Sequence, residues 1–322
     1  MQILQTVAIS GSSEVGREPD VCYGGDNHLV VWSQGEFGGG SQIRAARVSP
    51  AGVVLDTGIV CGMDHYCEYR PSVAFDGEHF FVVWYNYVDP PAGIFGRFIG
   101  QDCIPIGREV LIRDLPINTN NDPDIAFLDS VYLIVWSEPS PSYDDDVYGQ
   151  IVHMNGTLIG EVIPIGIGSL YQYQPRVCAA DTMFLAVWQQ NSYIYGQFIA
   201  TDGTCIGGNF QISDPPPHPR DFPDIGYGGP QPLTLWHEFV YDDHEIYGDM
   251  EIFPGISEET FGLEGTLTLL PTILVDQLIF PFGENCTVYD ITGRQIHHRN
   301  PVSGIYFIAI DRQIVTKVIK VR

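Results

Sequence analysis

The chain has 322 residues, 44% of them apolar, with 35 Gly and 23 Pro but only 17% charged residues. That composition supplies a real core and many turns, which excludes a disordered chain and argues against amphipathic helices. Fifteen Lys and Arg against 40 Asp and Glu leave a net charge of −25, which repels nucleic acid and anionic membrane surfaces.

The N-terminal segment MQILQTVAISGSSEVG has neither the basic start nor the continuous apolar stretch of a signal peptide. No run of about eighteen apolar residues marks a transmembrane helix. Beyond it a repeat sets in. Trp32, Trp84, Trp136, Trp188 and Trp236 follow one another at intervals of 52, 52, 52 and 48 residues. Each ends an apolar run: HLVVW, FFVVW, YLIVW, FLAVW and PLTLW. A Pro-led strand precedes each run, from Pro19, Pro71, Pro123, Pro175 and Pro223, and a Gly-, Asp- or Asn-rich turn joins the two. A third strand follows a variable loop, from Ile43, Ile94, Val147, Ile194 and Ile246, and four of the five copies carry Gly two residues in. That Gly is expected where sheets approach closely. A fourth strand follows turns such as MNGT and TDGT.

Four antiparallel strands per unit make a propeller blade, so the predicted fold is all-β, a five-bladed β-propeller over residues 1–252. The blades fall near 18–66, 70–115, 121–168, 174–213 and 220–252. The fifth unit lacks its fourth strand, and LQTVAIS aligns with the missing piece. Residues 2–10 are therefore expected to clasp the last blade and close the ring. The five Trp, apolar on both sides, are read as core packed between blades.

Seven cysteines include no CxxC and no zinc-finger spacing. Cys61 and Cys67 flank GMDHY and are candidates for a small disulfide loop. Cys22 with Cys178, and Cys103 with Cys205, echo one another in the repeat and read as small buried residues.

Residues 253–264 read as a linker, and 265–322 as a small C-terminal β-sandwich with a DITG turn. There VYDITGRQI, SGIYFIAI and a terminal TKVIKVR resemble the C-terminal sorting domain of type IX secretion cargo. The resemblance implies export across an outer membrane, an extracellular or cell-surface location, and the secretion machinery as a partner. The propeller repeat is similar to repeats of secreted bacterial proteins, which implies an architecture and no activity.

No GxSxG, HExxH, P-loop or GxGxxG stands in a suitable context. The position after each opening Pro holds Asp20, Ser72, Asp124, Arg176 and Asp224. Asp20, Asp124 and Asp224 at a channel mouth, with Arg176 among them, form a candidate binding ring. They are the acid–base carboxylates of a glycosidase, or caps on strand ends that pair with Arg176 and backbone N–H groups. Asp144, Asp145 and Asp146, and Asp242 and Asp243, are candidate calcium ligands without EF-hand spacing, set against a plain reading as solvated acidic loops. Phe37, Tyr85, Tyr87, Tyr143, Tyr193 and Tyr241 lie in or beside the variable loops and suit a sugar- or protein-binding rim. No cofactor is otherwise expected. The sequence reading is an exported, non-catalytic surface protein whose propeller binds protein partners or copies of itself. The alternative is a carbohydrate-binding or glycoside-cleaving propeller that uses the carboxylate ring.

Overall fold

Each Trp run folds as the second strand of an antiparallel sheet in a computed structural model of the chain. The structure describes residues 6–249 apart from 11–14, 36–39, 57, 63–66, 88–90, 117–120, 141–143, 215–218, 228–231 and 241–242, together with four strands between residues 272 and 320. The five second strands are Asn27–Gln34, Phe80–Asn86, Val131–Pro139, Met183–Gln190 and Pro232–Val240. Blades one to four have four strands in sequence order, and blade five has three. The two compact units are Met1–Pro254 and Gly255–Arg322.

The second strands are apolar on both faces because each serves two interfaces. In blade two, Phe80, Val82 and Trp84 pack toward blade one, while Phe81, Val83 and Tyr85 pack toward blade three. The same alternation builds the joints between blades three and four and between four and five. Each fully buried side chain of this kind contributes roughly 1.5–3 kcal/mol. All five Trp are core, with exposures of 0–6%.

The glycine of the third strand serves a different purpose from the one expected. A Cβ on Gly96 would stand 2.6 Å from the ring tip of Phe81, and one on Gly149 would stand 2.7 Å from Ile165. These neighbours belong to the second and fourth strands of the same blade. The missing side chain makes room within a sheet rather than between sheets.

The fifth joint differs from the other four. Leu233 and Leu235 are each 37% exposed, and Ile246 is 72% exposed. The residues matching the two leucines, Leu29 and Val31, Phe81 and Val83, Leu133 and Val135, and Leu185 and Val187, are all at 0%. On blade one Val21 is 55% exposed, whereas its counterpart Val73 is buried. Among the described residues no apolar core joins blade five to blade one. The expected clasp lies partly outside the described residues, and residues 6–10 carry no strand.

The expected Cys61–Cys67 disulfide is not formed, since Cys61 is a free, fully buried thiol. Its Sγ leans on the Ile59 carbonyl, and burial pushes its pKa far up, which keeps it protonated and unreactive. In the C-terminal unit the described strands form one mixed sheet, not two stacked ones. Thr272–Val275 runs parallel to Gln313–Lys320, which pairs with Gly304–Ile310 and through it Cys286–Asp290.

Candidate carboxylate site at the propeller mouth

The first strands, Gly16–Gly24, Glu68–Phe75, Asp124–Leu128, Gln172–Ala180 and Arg220–Tyr227, contact one another in succession and so line the centre of the ring. In each blade the start of the first strand, the end of the second and the start of the third lie at one end. Gly16 pairs with Gln34, which pairs with Gln42, and Gln172 pairs with Gln190, which pairs with Tyr193. The unequal loops and the X-Pro-X triplets therefore share one mouth.

Proline does not open most first strands, as the sequence suggested it would. It sits inside them as part of a β-bulge, with register breaks between Arg17 and Asp20, Tyr69 and Ser72, Tyr173 and Arg176, and Asp221 and Asp224. The residue before it takes a left-handed backbone: φ is 52° at Glu18, 54° at Arg70, 55° at Gln174 and 49° at Phe222. For a side chain this conformation costs about 1–3 kcal/mol, and a following proline already restricts the residue. Only blade three begins its strand after the proline, at Asp124.

Two of the three candidate aspartates meet. The Ser72 hydroxyl lies 2.7 Å from Asp124 Oδ1 and 3.0 Å from Asp20 Oδ2, so those oxygens are at most about 5.7 Å apart. Asp20 Oδ2 also accepts the Val73 N–H at 2.8 Å, and Asp124 Oδ2 accepts the Val177 N–H at 2.7 Å. Each carboxylate thus reaches into the next blade. A hydroxyl has a single proton to donate, so two carboxylates can share it only when one of them brings a proton of its own. Asp124 is suited to that role: its pKa is pushed up to about 6, chiefly by burial and further by Asp20, while Arg176 opposes the rise. Arg176 itself donates to the Pro175 carbonyl. Asp224 stands apart. It is exposed and, among the described residues, accepts its own neighbour's amide, Ile225 N, at 2.9 Å.

A second tier, one residue earlier, was missed in the sequence. Glu18 Oε2 accepts the Arg70 N–H at 2.9 Å and the Ser33 hydroxyl at 3.1 Å, and the Arg70 guanidinium pairs with Asp122. Gln174 Oε1 accepts the Phe222 N–H at 2.9 Å. The available signal was the column before the five prolines, where Glu, Arg, Asp, Gln and Phe are all different.

Among the described residues no group of three His, Cys, Asp or Glu side chains is placed to hold an ion. Asp145 and Asp146 lie on one strand, where successive side chains face opposite ways, and Asp146 Oδ1 accepts the Gly168 N–H. Asp242 and the side chain of Asp243 fall outside the described residues.

No protein-family model matches the chain, and no curated protein matches it. Solved structures do. An endo-arabinase from Bacteroides thetaiotaomicron is 10% identical, with a TM-score of 0.46 over 78% of this chain and 99% of that one. An exo-1,5-alpha-L-arabinanase from a bovine ruminal metagenomic library is 15% identical, with a TM-score of 0.43 over 58% and 76%. An alpha-L-arabinanase from Cellvibrio cellulosa, complexed with arabinohexaose, is 13% identical, with a TM-score of 0.41 over 59% and 76%. At these identities the likeness concerns the fold. These similar structures are glycan-cleaving enzymes, which runs against the expected non-catalytic interaction module. What the alternative reading rests on is the carboxyl pair described above.

Proposed function

We propose that the propeller binds glycans at this mouth and cleaves a glycosidic bond there. The observation that carries the reading is the Asp20–Ser72–Asp124 constellation, in which one carboxyl holds a proton up to about pH 6 beside another that accepts three hydrogen bonds. Glycoside cleavage needs one carboxyl to protonate the leaving oxygen and a second, ionised, to attack or to stabilise the developing positive charge. Asp124 is the proton donor and Asp20 the ionised partner. Their oxygens, at most about 5.7 Å apart, stand closer than the roughly 6.5–9.5 Å of pairs that act through an interposed water, which leaves direct attack. Arg176 keeps Asp124 from rising further and so keeps its proton transferable. In the free protein Ser72 bridges the two groups, and an incoming glycosidic oxygen takes its place.

The tail supports an extracellular place of work through its resemblance to a secretion sorting domain. On this reading the N-terminal residues complete blade five as a clasp, and the C-terminal unit addresses the protein for export.

The test is hydrolysis of a panel of arabinan, xylan and glucan oligosaccharides by the full chain and by Asp124→Asn and Asp20→Asn. Cleavage that drops by at least about a hundredfold in both, with unchanged thermal unfolding, supports the assignment. Undiminished cleavage in either variant, or none by the parent protein on any glycan, removes it.

A further inference from the structure

Blades one to three present Glu18, Asp20, Arg70, Asp122 and Asp124 at the mouth, charged groups tied to one another by the bonds described above. Blades four and five add exposed aromatic rings at the same end, beside Arg176, Asp221 and Asp224. Phe222 is 61% exposed, Phe239 is 38% exposed and Tyr171 is 51% exposed. The Phe222 ring lies 6.2 Å from the His237 ring, which lies 4.9 Å from Phe239.

Exposure alone does not make a site, and the setting of Phe222 adds three details. Its backbone is left-handed at φ 49°, a conformation that bulky side chains rarely adopt. Its N–H is held by Gln174 from the neighbouring blade, so the ring is presented by a fixed backbone rather than a loose loop. In blades one and four the matching side chains, Glu18 and Gln174, accept a hydrogen bond from the next blade, which phenylalanine cannot do. The strained position thus carries a ring that packs into no core cluster among the described residues.

A hydrogen-bonding pair stands beside that ring: Asp221 Oδ1 lies 2.8 Å from Nδ1 of His237, whose ring adjoins Phe222. A flat apolar face beside fixed polar groups matches a sugar ring, whose C–H faces are apolar and whose edge carries hydroxyls. The electron-rich face of an aromatic ring attracts those C–H groups. The net charge of −25 argues for a neutral sugar over an anionic one.

We infer that Phe222, flanked by His237 and Phe239, is a stacking platform that holds one sugar unit of a neutral oligosaccharide beside the carboxyl pair. This rests on the glycan-cleaving reading and adds to it the position and charge class of the bound chain. The test measures binding of neutral arabino-, xylo- and gluco-oligosaccharides, and of polygalacturonate fragments, to the full chain by calorimetry. Phe222→Ala is expected to weaken binding of the preferred neutral oligosaccharide by about tenfold or more, and Phe222→Trp to restore it. Polygalacturonate is expected not to compete. If the parent protein cleaves a neutral glycan that Phe222→Ala binds equally well, the platform is wrong while the carboxyl assignment stands. The inference is also overturned if polygalacturonate binds best. A parent protein that neither binds nor cleaves any glycan ends both.

Discussion

Asp20 of blade one and Asp124 of blade three converge on one hydroxyl, that of Ser72 in the blade between them. Three copies of a repeat thereby build one carboxyl pair that no single copy contains. Because Asp124 titrates near pH 6, cleavage is expected to fall as pH rises through that value and its proton is lost. Arg176→Met removes the charge that holds this pKa down, so the falling limb of the pH–rate profile should move to higher pH. A limb that stays in place would show that Asp124 is not the proton donor.

Glu68 makes stability depend on pH in the opposite sense to an ordinary salt-bridged acid. Its side chain is buried, Oε2 accepts the Ile43 N–H, and Oε1 has no partner among the described residues. Burial above all raises its pKa from 4.5 to about 8. The folded state therefore holds a proton that the unfolded chain has released, and stability declines as pH climbs from about 4.5 to about 8, with a slope of up to roughly 1.4 kcal/mol per pH unit. Glu68→Gln should flatten that decline and raise the melting temperature at pH 8.5. Equal pH dependence in both proteins would refute the assignment.

Blade five is held at its mouth by a buried ion pair. Arg220 Nε donates to Glu238 Oε2 at 2.7 Å, both side chains are about 5% exposed, and the guanidinium lies 5.7 Å over the Trp236 ring. Arg220→Met leaves Glu238 buried without its cation and should cost about 3–5 kcal/mol in urea unfolding. Arg220→Met with Glu238→Leu should recover much of that loss.

Two glycines separate a packing role from mere tolerance. Gly149→Val forces a side chain against Ile165 and Leu133 and should cost about 1–3 kcal/mol. Gly226→Ala meets nothing within 4 Å and should leave unfolding within about 0.5 kcal/mol of the parent. Chemical denaturation of the two variants side by side tests the contrast.

The ring was legible in the sequence because every blade must fill the same space, which forces Trp, Pro and Gly back to the same places. The position after each proline singled out Asp20 and Asp124, which meet at one hydroxyl. The sequence could not reveal that Ser72 joins them or that Asp224 stands aside, because both depend on packing between blades. The tier before the prolines was hidden for a local reason: the residue preceding proline normally stays extended, and nothing in EPD, RPS, QPR or FPD announces a left-handed bulge. The Cys61–Cys67 loop was misjudged because spacing says nothing of where the thiols point, and Cys61 is turned into the joint between blades one and two.

The bonds from Asp20 to Val73, Glu18 to Arg70, Asp124 to Val177 and Gln174 to Phe222 all run from one blade's side chain to the following blade's amide. Blades one, three and four thus each carry an acceptor for the amide of the blade that follows. Duplicating such a unit in a gene adds one blade and one finished joint together, with neither group orphaned. A propeller of this kind grows by whole blades.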